Sequence, residues 1–208
     1  MEYLPLIGTV TIIHLLALIS PGPDFIVAVK NSLTYSRKVG IFTALGFGLG
    51  ITIHLFYCIG GLAILVSQSI IIFNLLKLLG AGYLIFIGLK TIISKSSRVV
   101  INNKTNKSEI SALKAVEIGF LTNVLNPKAT LSLLSLFTIV ISPDTPSYIL
   151  AILCAIMILS TIIWFTLVSI FFTQTRIRST YNKIQGIFNK LLGGLLIGLG
   201  ITVAFSQK

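Results

Sequence analysis

The chain is short of charge. Asp, Glu, Lys and Arg make up 10% of its 208 residues, against roughly 25% in soluble domains. Acidic residues are the scarcest, five against 16 Lys and Arg. With 55% hydrophobic residues and a mean hydropathy of +1.00, a water-soluble globule is excluded, because it would leave large apolar patches in water. Disorder is excluded on the same ground. Short alternating segments are lacking too, and the apolar runs are long and continuous, which argues against a transmembrane barrel. No Walker loop is present, so ATP is not expected to drive the protein directly. There is no HExxH or GxSxG motif and no cluster with metal-site spacing. No enzyme, metal or cofactor is therefore expected. Cysteine is limited to Cys58 and Cys154, with no CxxC pair.

What remains is apolar sequence long enough for helices. A transmembrane helix needs about 20 mostly apolar residues. Six segments qualify: 4–29, 40–66, 70–93, 115–141, 146–173 and 184–205. The first is preceded by Met1-Glu2-Tyr3, without the positive charge of a cleaved signal, and is read as the first helix. The expected class is an all-α integral membrane protein with six spans in one domain, 1–208. Within it lie a first repeat (1–95), a loop (94–114) and a second repeat (115–208).

The net charge of +11 sorts by loop. Thirteen of the 16 basic residues fall in the 1–2, 3–4 and 5–6 connections and their helix ends, among them Lys30, Arg37, Lys90, Lys114 and Arg176. By the positive-inside rule those connections are cytoplasmic and both termini face outward. The basic excess thus reads as topology and contact with anionic lipid, with no nucleic-acid site. Lys77 and Lys128 are left inside spans.

The halves resemble each other. Lys-Leu-Leu-Gly occurs at 77–80 and at 190–193, in the third helix of each half. The first helix of each half is interrupted, by Ser20-Pro21-Gly22-Pro23-Asp24 and by Asn126-Pro127-Lys128. Three helices per repeat is an odd number, so the second copy inserts inverted, giving a 3+3 repeat.

Proline removes a backbone donor and clashes with the preceding turn, so a helix kinks or stops there. In lipid, freed backbone groups are tolerated only against protein or a water-filled cavity. Half-helix N-termini suit carboxylates, and unwound carbonyls suit cations. Two facing breaks can therefore hold a zwitterion, of which an amino acid is the simplest. Both breaks also carry an ionisable residue, Asp24 and Lys128, which in a membrane pairs or marks a pathway. Candidate substrate contacts are Pro21, Gly22, Pro23, Asp24, Asn123, Asn126, Pro127 and Lys128. Candidate proton carriers are Asp24 and His54, histidine being a side-chain type suited to relaying protons. A packing histidine is an equal reading for His54, which shares a stripe with Gly46, Gly50, Cys58 and Gly61. His14, ahead of the first break, ranks lower.

Ser20-Pro21-Gly22-Pro23-Asp24-Phe25 and Leu121-Thr122-Asn123-Val124-Leu125-Asn126-Pro127-Lys128-Ala129 resemble the LysE/RhtB family of amino-acid exporters. The likeness continues through 77–83 and the glycine-rich last helix. Trp164-Phe165-Thr166-Leu167-Val168 and Leu136-Phe137-Thr138 look more like the threonine and homoserine branch. The chain departs from the family at Thr138-Ile139, where many members have Pro-Gln, and at 67–69, where a proline is frequent. The resemblance implies export of small neutral amino acids from the bacterial cytoplasmic membrane, driven by protons, with Asp24 and the Asn-Pro-Lys element central. Expected partners are an amino acid, protons and the bilayer; the glycine stripes suit internal packing or a homodimer. Two readings compete: a thiol-redox carrier using Cys58 and Cys154, and a passive small-solute channel.

Overall fold

A computed structural model describes residues 3–68, 70–93, 110–140 and 145–205. These form α1 (Leu4–Ile19), α2 (Pro23–Thr34), α3 (Arg37–Gln68), α4 (Ile70–Ile93), α5 (Ala112–Val124), α6 (Pro127–Val140), α7 (Ser147–Phe171) and α8 (Thr175–Phe205), with no strand among them. Most of the loop expected at 94–114 lies outside the described residues, as do the side chains of Lys77, Thr138 and Ile139.

Helix limits and apolar limits differ where polar residues are helix-compatible. Segment 184–205 belongs to a helix that starts at Thr175, because Arg176, Tyr181, Asn182 and Lys183 fit a helix although they fail a hydropathy test. The first segment ends in a helix that runs past residue 29 to Thr34. Among the described residues two helices, Arg37–Gly61 and Ser147–Phe171, are long and apolar enough to cross a membrane. The pair Leu4–Ile19 and Pro23–Thr34 passes as a third if the 57° bend between them lies within one span.

Helix α7 shows why the surroundings are apolar. Its inner face, Ile149, Leu153, Met157, Thr161 and Phe165, is buried at four-residue spacing. Its outer face, Tyr148, Ile152, Leu159 and Ile163, is equally apolar and exposed. A helix apolar all round belongs in a core or a bilayer.

Two seams bring backbones close. On α3 and α5, Gly46 faces Gly119, and a Cβ on Gly46 would stand 2.9 Å from the Gly119 Cα and 2.7 Å from the Phe120 nitrogen. On α4 and α8, a Cβ on Gly88 would come within 2.6 Å of the Gly193 oxygen. Small residues permit such approach where no water drives helices together. One buried cluster joins α1, α3, α6 and α7 through Val10, Ile13, Ile51, Leu136, Phe137 and Met157. A second joins α2, α3 and α7 through Phe25, Phe47 and Phe165.

Candidate site at the two helix breaks

The first gap, between α1 and α2, follows from its sequence. Helix α1 ends at Ile19, and Ser20 closes it with a backbone bond to the Leu16 oxygen (3.2 Å). Gly22 is fully extended (φ −171°, ψ −172°), and α2 restarts with Pro23 as its first residue. Proline fits that position because the first amide has no partner within the helix. Asp24 follows in the first turn, where the helix dipole favours an anion.

The second gap, between α5 and α6, is shorter. Leu125 N–H donates to the Leu121 oxygen and Asn126 N–H to the Asn123 oxygen, both at 3.0 Å. Helix α6 again begins with a proline, Pro127. Asn126 caps it, its Oδ1 accepting from the Lys128 N–H (3.0 Å).

The breaks meet through Lys128. Its Nζ donates to the Ser20 carbonyl and, at 3.5 Å, approaches the Pro21 carbonyl. The ammonium thus covers the open C-terminal end of α1, a position suited to a cation. Gly22 makes room: a Cβ there would lie 3.1 Å from Lys128 Cδ and 3.2 Å from Nζ.

Asp24 is buried. Asn123 Nδ2 donates to its Oδ2 at 2.8 Å, while Asp24 Oδ1 and Asn123 Oδ1 have no hydrogen-bond partner. Asn123 is held in turn from α3. Gly50 leaves space for it, since a Cβ there would sit 2.7 Å from Asn123 Oδ1. His54 Nε2 bonds the Asn123 carbonyl (2.9 Å), and His54 Nδ1 bonds the Tyr57 hydroxyl. A carbonyl only accepts, so this pairing assigns the proton of neutral His54 to Nε2, and Nδ1 accepts from Tyr57. His54 therefore touches the backbone of Asn123, not the Asp24 carboxylate.

Two cavities flank Lys128. A small one of about 50 Å³ is lined by Ser20, Gly22, Asp24, Asn123, Asn126 and Lys128, with Ser132 and His14 among its other walls. A larger one of about 340 Å³ opens toward α4 and is lined by Pro21, Pro23, Pro127, Tyr83 and Lys90 among others. Ser20, Gly22, Asn126 and Lys128 line both. The eight residues expected at the breaks thus gather around two adjoining cavities. His54 lines neither, while His14, ranked lower on sequence, lines the small one beside Ser132, whose Oγ also lacks a partner. Ser132 escaped sequence reading because one more serine in an apolar helix carries no signal. Thr91, bonded to Ser20 Oγ (3.1 Å), and Tyr83, whose hydroxyl donates to the Pro127 carbonyl (3.3 Å), escaped it as well. Cys58 and Cys154 are free thiols in the first apolar cluster, and neither lines the two cavities. Among the described residues no group of three His, Cys, Asp or Glu is placed to hold a metal.

A cavity with carboxylate, amide and ammonium groups at the two gaps suits a small zwitterion. Residues 15–207 match the family described as LysE type translocator. The uncharacterized membrane protein YrhP of Bacillus subtilis is 29% identical, over 99% of this chain and 98% of its own length. The threonine efflux protein of Escherichia coli K12 is 26% identical, over 96% and 97%. That of Salmonella typhi is 27% identical, over 98% and 100%. No solved structure matches. With the match running from the middle of α1 to the end of α8, the chain belongs to the LysE type translocator family of membrane transporters.

Proposed function

We propose that the protein exports small neutral amino acids, of the threonine or homoserine kind, across the bacterial cytoplasmic membrane in exchange for protons. The observation that carries this reading is the meeting of the two breaks. Asp24 with a free carboxylate oxygen, Asn123, Asn126 and Lys128 converge on one cavity between α1–α2 and α5–α6. Relatives whose own names state threonine efflux support the substrate class.

In this reading the chain is one membrane domain of six spans, with α1–α2 and α5–α6 each forming one broken span. The repeats are 1–95 and 115–208, inverted about an axis in the membrane plane. Such a repeat pairs the α3–α5 contact with the α7–α1 contact and sets α4 against α8. These contacts occur, though α3–α5 is much the more extensive of the first two and α4–α6 has no comparable α8–α2 counterpart among the described residues. Both termini face outward, and the basic loops face the cytoplasm. Substrate enters from the cytoplasm between the repeats. Its ammonium displaces Lys128 from the α1 carbonyls or meets Asp24, and its carboxylate meets Lys128 and the α6 N-terminus. Proximity of the two sites lets one proton on Asp24 compete with one substrate ammonium, which is the requirement for exchange. His54 acts on Asp24 through Asn123.

The test is export from cells fed a threonine-containing dipeptide. Wild type should lower internal threonine relative to vector, and Asp24→Ala at equal membrane abundance should not. Unchanged efflux from that variant would remove Asp24 from the mechanism.

A further inference from the structure

The larger cavity has no role so far. It shares a wall with the smaller one and has several times the volume, about 340 Å³ against about 50 Å³. At about 50 Å³ the small cavity holds an ammonium-sized group with space to spare. Three unpartnered acceptors, Asp24 Oδ1, Asn123 Oδ1 and Ser132 Oγ, belong to residues lining it. The larger cavity adjoins it past Lys128 and offers the greater space for the rest of an amino-acid substrate.

The lining of that cavity is selective in charge. Its ionisable residues other than tyrosine are Lys90 and Lys128, with no Asp, Glu or His. Lys128 is turned toward the Ser20 and Pro21 carbonyls. The remaining fixed charge is Lys90, whose ammonium lies 5.9 Å from the centre of the Phe86 ring. Phe86 and Tyr83 stand side by side (6.1 Å between ring centres) and form an apolar wall. Tyr83 is tied to the second break through Pro127, so the wall is fixed relative to the site.

Resting on the export reading above, we propose that the larger cavity receives the substrate side chain and that Lys90 is a specificity residue there, refusing side chains that carry a positive charge. Lys90 counts among the basic residues of the helix ends in the sequence, and its place at this cavity gives it a second task. An uncharged side chain packs on Tyr83 and Phe86. A cationic one meets a like charge across a lining with no carboxylate to offset it; Lys90 is itself exposed, so screening holds the discrimination to about tenfold.

The experiment scores export from cells fed alanyl-threonine and alanyl-lysine, with the lysine-to-threonine export ratio as readout. Wild type should export threonine and little lysine. Lys90→Gln should raise the ratio several-fold, and Lys90→Glu should raise it by about tenfold or more. An unchanged ratio in Lys90→Glu overturns the assignment. A second measurement uses wild type alone, so that folding of a variant does not enter. In inside-out vesicles, norleucine should compete with labelled threonine about tenfold better than lysine, its cationic counterpart of similar length. Equal competition overturns the proposal. If wild type exports no amino acid from fed cells, the export reading itself fails. If it exports threonine with an unselective ratio, only the role of Lys90 fails.

Discussion

At the second break the chain supplies its own hydrogen bonds. Leu125 and Asn126 donate back to the turn before them, and the Asn126 side chain caps the helix that follows. At the first break it does not. Ser20 closes α1, but the Ser20 and Pro21 carbonyls are met by Lys128, a residue 108 and 107 positions away. Both restart with proline after a gap of a few residues, yet the second is closed mainly within its own turn, with His54 and Tyr83 adding bonds to the Asn123 and Pro127 carbonyls, and the first is closed by Lys128 from across the molecule. A locally satisfied break behaves as a fixed wall. One satisfied by a displaceable ammonium is open to exchange for another ammonium. In the proposed mechanism the asymmetry makes the first break the moving part and the second break the tether.

That contrast can be broken most severely at Lys128. Lys128→Met leaves the Ser20 and Pro21 carbonyls without their donor, and each buried polar group so stranded costs about 1–3 kcal/mol. Export should fall to the vector level, and the detergent-solubilised protein should melt several degrees lower. Wild-type melting would mean that the first break needs no outside donor.

Gly22→Ala attacks the same contact more gently. The new Cβ would crowd Lys128 Cδ and Nζ, at 3.1 and 3.2 Å. The end of a lysine side chain can yield, so the protein should fold and reach the membrane. Export should drop by about tenfold, the effect of roughly 1.4 kcal/mol at the site. Initial efflux rates at matched abundance measure this.

Asn126→Ala tests the second break. Losing an N-cap costs about 1 kcal/mol, and Asn126→Ser should restore most of it, because serine caps as well. Thermal melting of the two variants separates capping from any contact with substrate. Equal loss in both would show that the cap contributes nothing.

The smallest effect is expected at His54. His54→Gln keeps a side-chain donor for the Asn123 carbonyl. Transport should slow by a few-fold and stay proton-driven. Loss of proton dependence with exchange intact would make His54 the carrier.

The extent of some helices was legible in the chain because hydropathy acts locally. Segment 70–93 coincides with α4, and both gaps fall at the Pro-containing motifs. The start of α8 at Thr175 was not legible, since hydropathy marks where lipid is tolerated and not where a helix begins. At the site, Asp24, Asn123, Asn126 and Lys128 stood out because polar residues are costly in such a setting. Their wiring did not. That Lys128 serves α1, that His54 holds Asn123, and that Ser132 and His14 share the Asp24 cavity all depend on which faces of separate helices meet. A periodicity of 3.6 tells which residues share a face, not which face it will oppose.

The central claim is that Asp24, at the break completed from outside, carries the proton that is exchanged for substrate. Purified protein in proteoliposomes, with threonine on both sides and an imposed pH gradient, tests it directly when wild type is set beside Asp24→Asn. Asparagine imitates the protonated carboxyl and cannot release the proton. The account predicts that wild type concentrates threonine when the gradient is applied, while Asp24→Asn still exchanges labelled for unlabelled threonine but concentrates none. Gradient-driven concentration by Asp24→Asn at the wild-type level would contradict it.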